Sequence, residues 1–280
     1  MTVRASATPV TFAESVPLYA YDQSAPLCLQ LGPKHSAEGG VTLQDITYPS
    51  PVTGMITATL VFPAGQGPYR GVLFVHWLGN AATTNRTEFV DDALALARTG
   101  SASLLVEALW STNIAGKPSY DMAMAIEQVI ELRRDLDVLL AQPGIDPTRI
   151  AYVGHDFGAM FGCILLAVDH RMSYSVLMTP TSHLSAWSLL IDPLGGGERD
   201  AFILHMAIFD PAVNLPHTQL KGLYLQFAQQ DIYVSQSDAE AVYAAAPSPK
   251  ETHAYATDHA LAIPKATQDR LRWLEQVLDL

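Results

Sequence analysis

Short apolar runs alternate with amphipathic stretches along most of the chain. The runs lie at 56–62, 71–76, 102–107, 150–154, 174–178, 223–227 and 251–256. Several are apolar at nearly every position, among them VLFV, SLLV and YSVLM. Because a strand with two apolar faces is buried on both of them, these runs predict a parallel sheet that is covered by helices on each side.

The stretches between the runs have the three- and four-residue spacing of amphipathic helices. They cover 88–98, 121–142, 158–170, 235–245 and 265–280. In the second stretch, Ile126, Val129, Ile130 and Leu136 form part of one broad apolar stripe. Regular alternation of strands and helices predicts an α/β fold with a doubly wound, mostly parallel sheet.

Residues 41–280 are predicted to form one domain, and residues 1–40 an N-terminal extension that packs on it. The extension has scattered Pro and Gly and little periodicity. Within the domain, 181–218 breaks the alternation, because helical fragments follow one another around three consecutive glycines with no strand between them. We predict that this segment is an inserted helical cap over the carboxyl edge of the sheet, where open α/β sheets bind ligands.

The composition excludes several classes of protein. Of the 280 residues 49% are hydrophobic and 16% charged, which excludes a disordered chain. The net charge of −12, from 16 basic and 28 acidic residues, argues against nucleic-acid binding. Two cysteines are too few for a disulfide scaffold. No apolar stretch is long enough for a membrane span or a signal peptide, so we expect a cytoplasmic protein that acts on a small molecule. The composition leaves open whether the chain forms a homodimer.

One short segment carries most of the functional information. The apolar run that ends at Gly154 is followed by His155, Asp156, Phe157 and Gly158, and an apolar helical pattern begins at once. Gly-x-nucleophile-x-Gly between a strand and a helix is the spacing of a nucleophile elbow, a tight turn that holds its middle side chain in a cleft. The middle residue here is an aspartate, where serine or cysteine is usual.

With this elbow, residues 41–280 resemble the α/β-hydrolase family. The segment 146–159, which leads into the elbow, is similar to the dienelactone-hydrolase branch. The sequence HDFG at 155–158 is similar to the elbow of haloalkane dehalogenases and epoxide hydrolases, which use an Asp nucleophile. The resemblance implies a triad of Asp156, His259 and Asp231, in the chain order that this fold uses. Asp258 competes with Asp231, but Asp231 follows an apolar strand by a short loop and is preferred. The segment 73–80 stands where the family has its oxyanion loop.

An aspartate nucleophile changes the expected reaction. The carboxylate is already an anion at neutral pH and needs no base in order to attack. Attack on a saturated carbon gives an alkyl ester, which water activated by His259 would hydrolyse, with Asp231 orienting His259. The oxyanion of this second step requires two backbone N–H groups, for which Trp77 and Phe157 are the candidates.

Further residues at the same edge are candidates for the substrate pocket: His76, Glu107, Trp110, His155 and Trp187. Glu107 is equally well explained as a strand-end carboxylate paired with a cation, and Trp110 as a packing residue. The sequence has no metal-binding or phosphate-loop spacing, so we expect no metal and no cofactor.

Neither Asp-nucleophile reaction fits every residue. Haloalkane dehalogenases usually carry Trp where this chain has Phe157, and epoxide hydrolases use cap tyrosines, whereas 181–218 contains none. Carbon–halogen cleavage therefore ranks slightly above epoxide opening. The alternatives are an esterase or lactone hydrolase similar to the dienelactone-hydrolase branch, with Asp156 as a base for water, and an inactive ligand-binding member.

Overall fold

The computed structural model describes residues 10–80, 82–111, 118–191 and 193–280, with the side chains of 118–121 and 191 left out. These residues form one nine-stranded sheet. Its strands, in chain order, are β1 (Gln30–Ser36), β2 (Thr42–Pro49), β3 (Met55–Phe62), β4 (Tyr69–Val75), β5 (Ser101–Val106), β6 (Ile145–His155), β7 (Tyr174–Met178), β8 (Gly222–Ala228) and β9 (Lys250–Tyr255).

The sheet is mostly parallel, and the predicted α/β class is confirmed. Its strand order is β1-β2-β3-β5-β4-β6-β7-β8-β9. The first three strands pair antiparallel with their neighbours, and the pairs from β4–β5 to β8–β9 are parallel. The carboxyl ends of β4, β6, β8 and β9 therefore meet at one edge of the sheet.

Strands β1 and β2 are the elements that the sequence pattern did not predict. Strand β1 is almost entirely exposed, so it has no apolar run to mark it. It lies within 1–40 and pairs with β2 at the border of the sheet, so the expected surface extension contributes an edge strand.

Helices cover both faces of the sheet. They are α1 (Phe12–Ser15), α2 (Val90–Arg98), α3 (Pro118–Leu140), α4 (Phe157–Val168), α5 (Leu184–Ile191), α6 (Gly196–Met206), α7 (Pro211–Asn214), α8 (Gln236–Ala245) and α9 (Pro264–Leu278). Helices α2 and α9 pack on one face, around Phe74, Leu96 and Leu274. Helices α3 and α4 pack on the other, around Leu73 and Phe161. No helix in the described ranges is long and apolar enough to cross a membrane.

The segment predicted as a cap contains α5, α6 and α7, between β7 and β8. Helix α5 contacts α3 and α6, whereas α7 packs against α4 and α8. Of these helices it is α5 that carries an aromatic side chain, Trp187, to the carboxyl edge of the sheet.

Candidate active site

Asp156 occupies a sharp turn between β6 and α4. Its backbone lies at φ 52° and ψ −112°, which is strained for a residue other than glycine. Both flanking glycines are required sterically. A Cβ on Gly158 would overlap the carbonyl oxygen of Val75, and a Cβ on Gly154 would overlap the carbonyl oxygen of Gly158. The packing of the elbow against β4 thus holds Asp156 at the carboxyl edge of the sheet.

His259 lies between two carboxylates. Its Nδ1 is 2.8 Å from Oδ2 of Asp231, and its Nε2 is 3.6 Å from Oδ1 of Asp156. Asp231 is held in place because its Oδ1 also accepts the amides of Tyr233 and Val234. The three side chains are between 0 and 5% exposed. The structure brings the three predicted triad residues together, whereas the competing Asp258 is exposed.

The two carboxylates control the charge of His259. Burial by itself lowers the pKa of the imidazole, but the two nearby carboxylates of Asp156 and Asp231 outweigh it and raise the pKa to about 9. Burial likewise raises the pKa of Asp231, and the hydrogen bond from His259 reverses this, so that the pKa is lowered. At neutral pH the site therefore holds an imidazolium, which carries a proton that Nε2 can donate.

The amide that faces Asp156 from the loop after β4 belongs to Leu78. It donates to Oδ2 of Asp156 at 3.1 Å. The amide of Trp77, which was the predicted oxyanion donor, instead donates to Oε2 of Glu88 at 2.9 Å. The structure therefore contradicts the prediction for Trp77, because the direction of an amide depends on the local turn of the loop. Phe157 begins α4, so its amide has no acceptor within the helix and stays a candidate donor.

His76 and Trp110 are buried supports of this loop. His76 is 1% exposed, with Nδ1 2.8 Å from the carbonyl oxygen of Trp77 and Nε2 accepting the amide of Ala108. Trp110 is 2% exposed, and its Nε1 donates to the Trp77 carbonyl oxygen at 3.2 Å. The Trp110 ring packs edge-on against Phe157. Both residues thus stabilise the loop through these contacts.

Two other predicted pocket residues are also engaged elsewhere. Glu107 forms an ion pair with Arg86 at 3.0 Å, as expected for a strand-end carboxylate with a cation partner. His155 is 1% exposed and is bonded through both ring nitrogens, to Glu88 and to the His259 carbonyl oxygen. Neither side chain forms a hydrogen bond with Oδ1 of Asp156 or Nε2 of His259.

Aromatic rings surround the catalytic histidine candidate. Trp187 from α5 lies edge-on to Phe157, with centroids 5.5 Å apart, and its ring is 6.4 Å from His259. Tyr233 stacks on Trp187 at 5.1 Å and lies edge-on to His259 at the same distance. Asp156 is 0% and His259 4% exposed, so both groups are shielded from bulk solvent.

Sequence reasoning missed Leu78, Glu88 and the position of Tyr233 beside His259. No motif or residue spacing in the sequence identifies Leu78 or Glu88, because the contacts of both residues depend on the path of the loop in which they lie. Tyr233 lies two residues after Asp231, and this proximity was the available signal. A cavity of about 600 Å³ lies between α8 and β9, and it is lined by Asp231 but not by Asp156. Within the described part of the chain, no three His, Cys, Asp or Glu side chains cluster as a metal site.

Solved structures match this architecture over almost its whole length. An acetyl xylan esterase from Paenibacillus sp. R4 superposes with a TM-score of 0.76, at 18% identity over 95% of this chain and 92% of that one. The acetyl xylan esterase 1 of Thermoanaerobacterium sp. JW/SL YS485 gives 0.76, at 14% identity over 96% and 94%. The chain has the α/β-hydrolase fold.

A third solved structure matches over a smaller share of this chain. The esterase domain of a Rhodothermus marinus protein has a TM-score of 0.62, at 17% identity over 84% of this chain and 96% of that one. No family model matches the sequence, and no curated protein does. At these identities the likeness establishes the fold.

Proposed function

We propose that this protein hydrolyses small, uncharged carboxylic esters, with Asp156 and His259 moving the protons of an attacking water. One observation carries the proposal. Oδ1 of Asp156 and Nε2 of His259 are buried, lie 3.6 Å apart, and have no hydrogen-bond partner among the described residues. A water molecule can bond to both atoms at this separation. Two acetyl xylan esterases and an esterase domain have the same fold, which supports this reaction class.

The proton transfers follow from the charges of the two groups. The Asp156 carboxylate accepts a proton from water while the water oxygen forms a bond to the acyl carbon. The tetrahedral intermediate then collapses, and the bond to the alcohol oxygen breaks as that oxygen takes the proton from Nε2 of His259. Transfer of the proton from Asp156 to His259 restores the resting site, and the products are an acid and an alcohol.

The developing oxyanion needs donors beside Asp156. The amide of Leu78 faces the carboxylate and bonds to Oδ2 in the resting site, and the amide of Phe157, the first residue of α4, has no acceptor within the helix. The nearby rings of Phe157, Trp187 and Tyr233 favour an apolar or aromatic substrate without a net charge.

A second candidate is the covalent route, in which Oδ1 of Asp156 attacks a saturated carbon and displaces a halide or opens an epoxide. The observation that favours it is the Leu78 hydrogen bond, because it engages Oδ2 and leaves Oδ1 as the nucleophilic atom. Alkylation would also remove one of the two charges that keep His259 protonated, so the imidazole would become the base for the second step.

Isotope labelling separates the two routes. Single turnovers are run in ¹⁸O-water with p-nitrophenyl acetate, a 1-haloalkane and styrene oxide, and the Asp156 peptide and the product are weighed. The ester proposal expects ester turnover with label in the released acid and none in the peptide. Label in Asp156 from the haloalkane or epoxide would replace the ester proposal with the covalent route. No turnover of any probe would overturn both and favour a ligand-binding protein.

A further inference from the structure

Glu88 joins two loops at the edge of the active site. It lies just before α2, and its side chain is 18% exposed. Oε2 accepts the amide of Trp77 at 2.9 Å, in the loop that also supplies the Leu78 amide. Oε1 lies 2.7 Å from Nδ1 of His155. One carboxylate thus holds the loop after β4 and the residue that precedes Asp156.

His155 extends this connection to the loop of the catalytic histidine candidate. Its Nε2 lies 3.0 Å from the carbonyl oxygen of His259. A carbonyl oxygen can only accept, so Nε2 must carry a proton. The contact between Nδ1 and Glu88 is the second hydrogen bond of the same ring. The His155 ring also stacks on Trp77, with centroids 5.1 Å apart and planes 3° apart, and on His259 at 5.6 Å.

We infer that Glu88 and His155 act as a clamp that fixes the Leu78 loop and the His259 loop in one common geometry. The clamp comprises the hydrogen bonds from Trp77 to Glu88, between Glu88 and His155, and from His155 to His259. Both residues are positioning residues, because neither side chain forms a hydrogen bond with Oδ1 of Asp156 or Nε2 of His259. As a contribution to catalysis the clamp rests on the proposed hydrolase function. As a coupling between two loops it can be tested without any substrate.

The direct test is amide hydrogen exchange at Trp77 and at Leu261. Leu261 donates to Asp258 within the His259 loop. Glu88→Ala removes the carboxylate, and His155→Phe keeps a stacked ring but loses both nitrogens. Of the two backbone contacts, Glu88→Ala directly breaks only that with Trp77, and His155→Phe only that with the His259 carbonyl oxygen. If the clamp exists, each variant nevertheless accelerates exchange about tenfold at both amides. Faster exchange of Trp77 alone in Glu88→Ala, and of Leu261 alone in His155→Phe, would overturn the clamp.

Two controls separate the clamp from a general loss of structure. Glu88→Gln can still accept from Trp77 and donate to a neutral His155, so its exchange should stay near that of the wild type. Glu251→Gln alters a carboxylate that accepts the indole N–H of Trp273 on another part of the surface, and should affect neither amide. Should either disruptive variant fail to fold, the ¹⁵N signal of His155 Nε2 in the wild type decides, because an unprotonated Nε2 contradicts the clamp.

Kinetics on an ester substrate give a separate readout. Because the clamp orients reacting groups without binding substrate, His155→Phe should lower kcat about 10- to 100-fold and change KM less than about threefold. Glu88→Gln should restore most of kcat relative to Glu88→Ala. A loss confined to KM would contradict a positioning role. A wild type without esterase activity would refute the proposed function, while the exchange experiment would still test the clamp.

Discussion

The backbone amide of Leu78 donates a hydrogen bond to Oδ2 of Asp156 across 3.1 Å. This contact fixes the rotation of the carboxylate and directs Oδ1 towards Nε2 of His259, 3.6 Å away. The loop after β4 therefore determines which oxygen of Asp156 is available for chemistry. A loop contributes to the site through its backbone, and the identity of its side chain matters little for that contact.

Replacing the aspartate should remove both activity and a charge. In Asp156→Asn, we expect kcat/KM for an ester probe to fall about 10³-fold or more, because the amide is neither a base nor a nucleophile. The pKa of His259 should fall below its value of about 9, because one of its two carboxylate neighbours is neutralised. Kinetics and an NMR titration of the imidazole measure the two effects. Asp258→Asn, at an exposed neighbour of His259, is the control, and an equal loss there would contradict the assignment.

His259 should make stability depend on pH in the alkaline range. Its pKa rises from the ordinary 6.5 to about 9 in the folded protein. Its stabilising contribution is therefore complete below about pH 6.5 and is lost as the pH rises through 9, by up to about 3 kcal/mol. Urea unfolding of the wild type and of His259→Gln at pH 6 and pH 10 measures the contribution of His259 to the free energy of unfolding. The stability difference between the two proteins should shrink at pH 10, and a constant difference would contradict the shift.

Activity should also decline at alkaline pH. In the ester mechanism the leaving group takes its proton from the imidazolium, so kcat/KM should fall as the pH rises through about 9. Asp231→Asn should move this alkaline decline in kcat/KM to lower pH, because the carboxylate bonded to Nδ1 of His259 is lost. A rate that increases through pH 9 would show that His259 acts as the base in the rate-limiting step.

The elbow should not tolerate a methyl group at Gly158. Its Cβ would overlap the carbonyl oxygens of Val75 and His76, which belong to backbone that cannot move easily. We expect Gly158→Ala to lower the free energy of unfolding by about 3 kcal/mol or more. Gly195→Ala is the matched control, because nothing lies within 4 Å of its Cβ and its φ is −122°. Chemical denaturation measures both, and equal stability would contradict tight packing at the elbow.

Local patterns predicted the elements that are buried or periodic. The seven apolar runs correspond to β3 to β9, and the five amphipathic stretches to α2, α3, α4, α8 and α9. Strands β1 and β2 were missed because the apolar pattern of a strand is weak when one or both of its faces meet water. Trp77 and Leu78 differ by one position, and periodicity carries no information about which of two consecutive amides faces a distant carboxylate.

The sequence by itself determined the alternating α/β architecture and placed Asp156 between two glycines at the end of a buried strand. Both could be predicted because hydrophobic periodicity and glycine spacing are local properties of the chain. Tertiary structure alone decided the rest. It brought His259 within 3.6 Å of Asp156, engaged Trp77 with Glu88, and turned His155 and His76 into buried supports. These relationships depend on how loops from four strands meet at one edge of the sheet. Hydrogen bonds between distant loops are fixed by their three-dimensional path, which no local sequence pattern encodes.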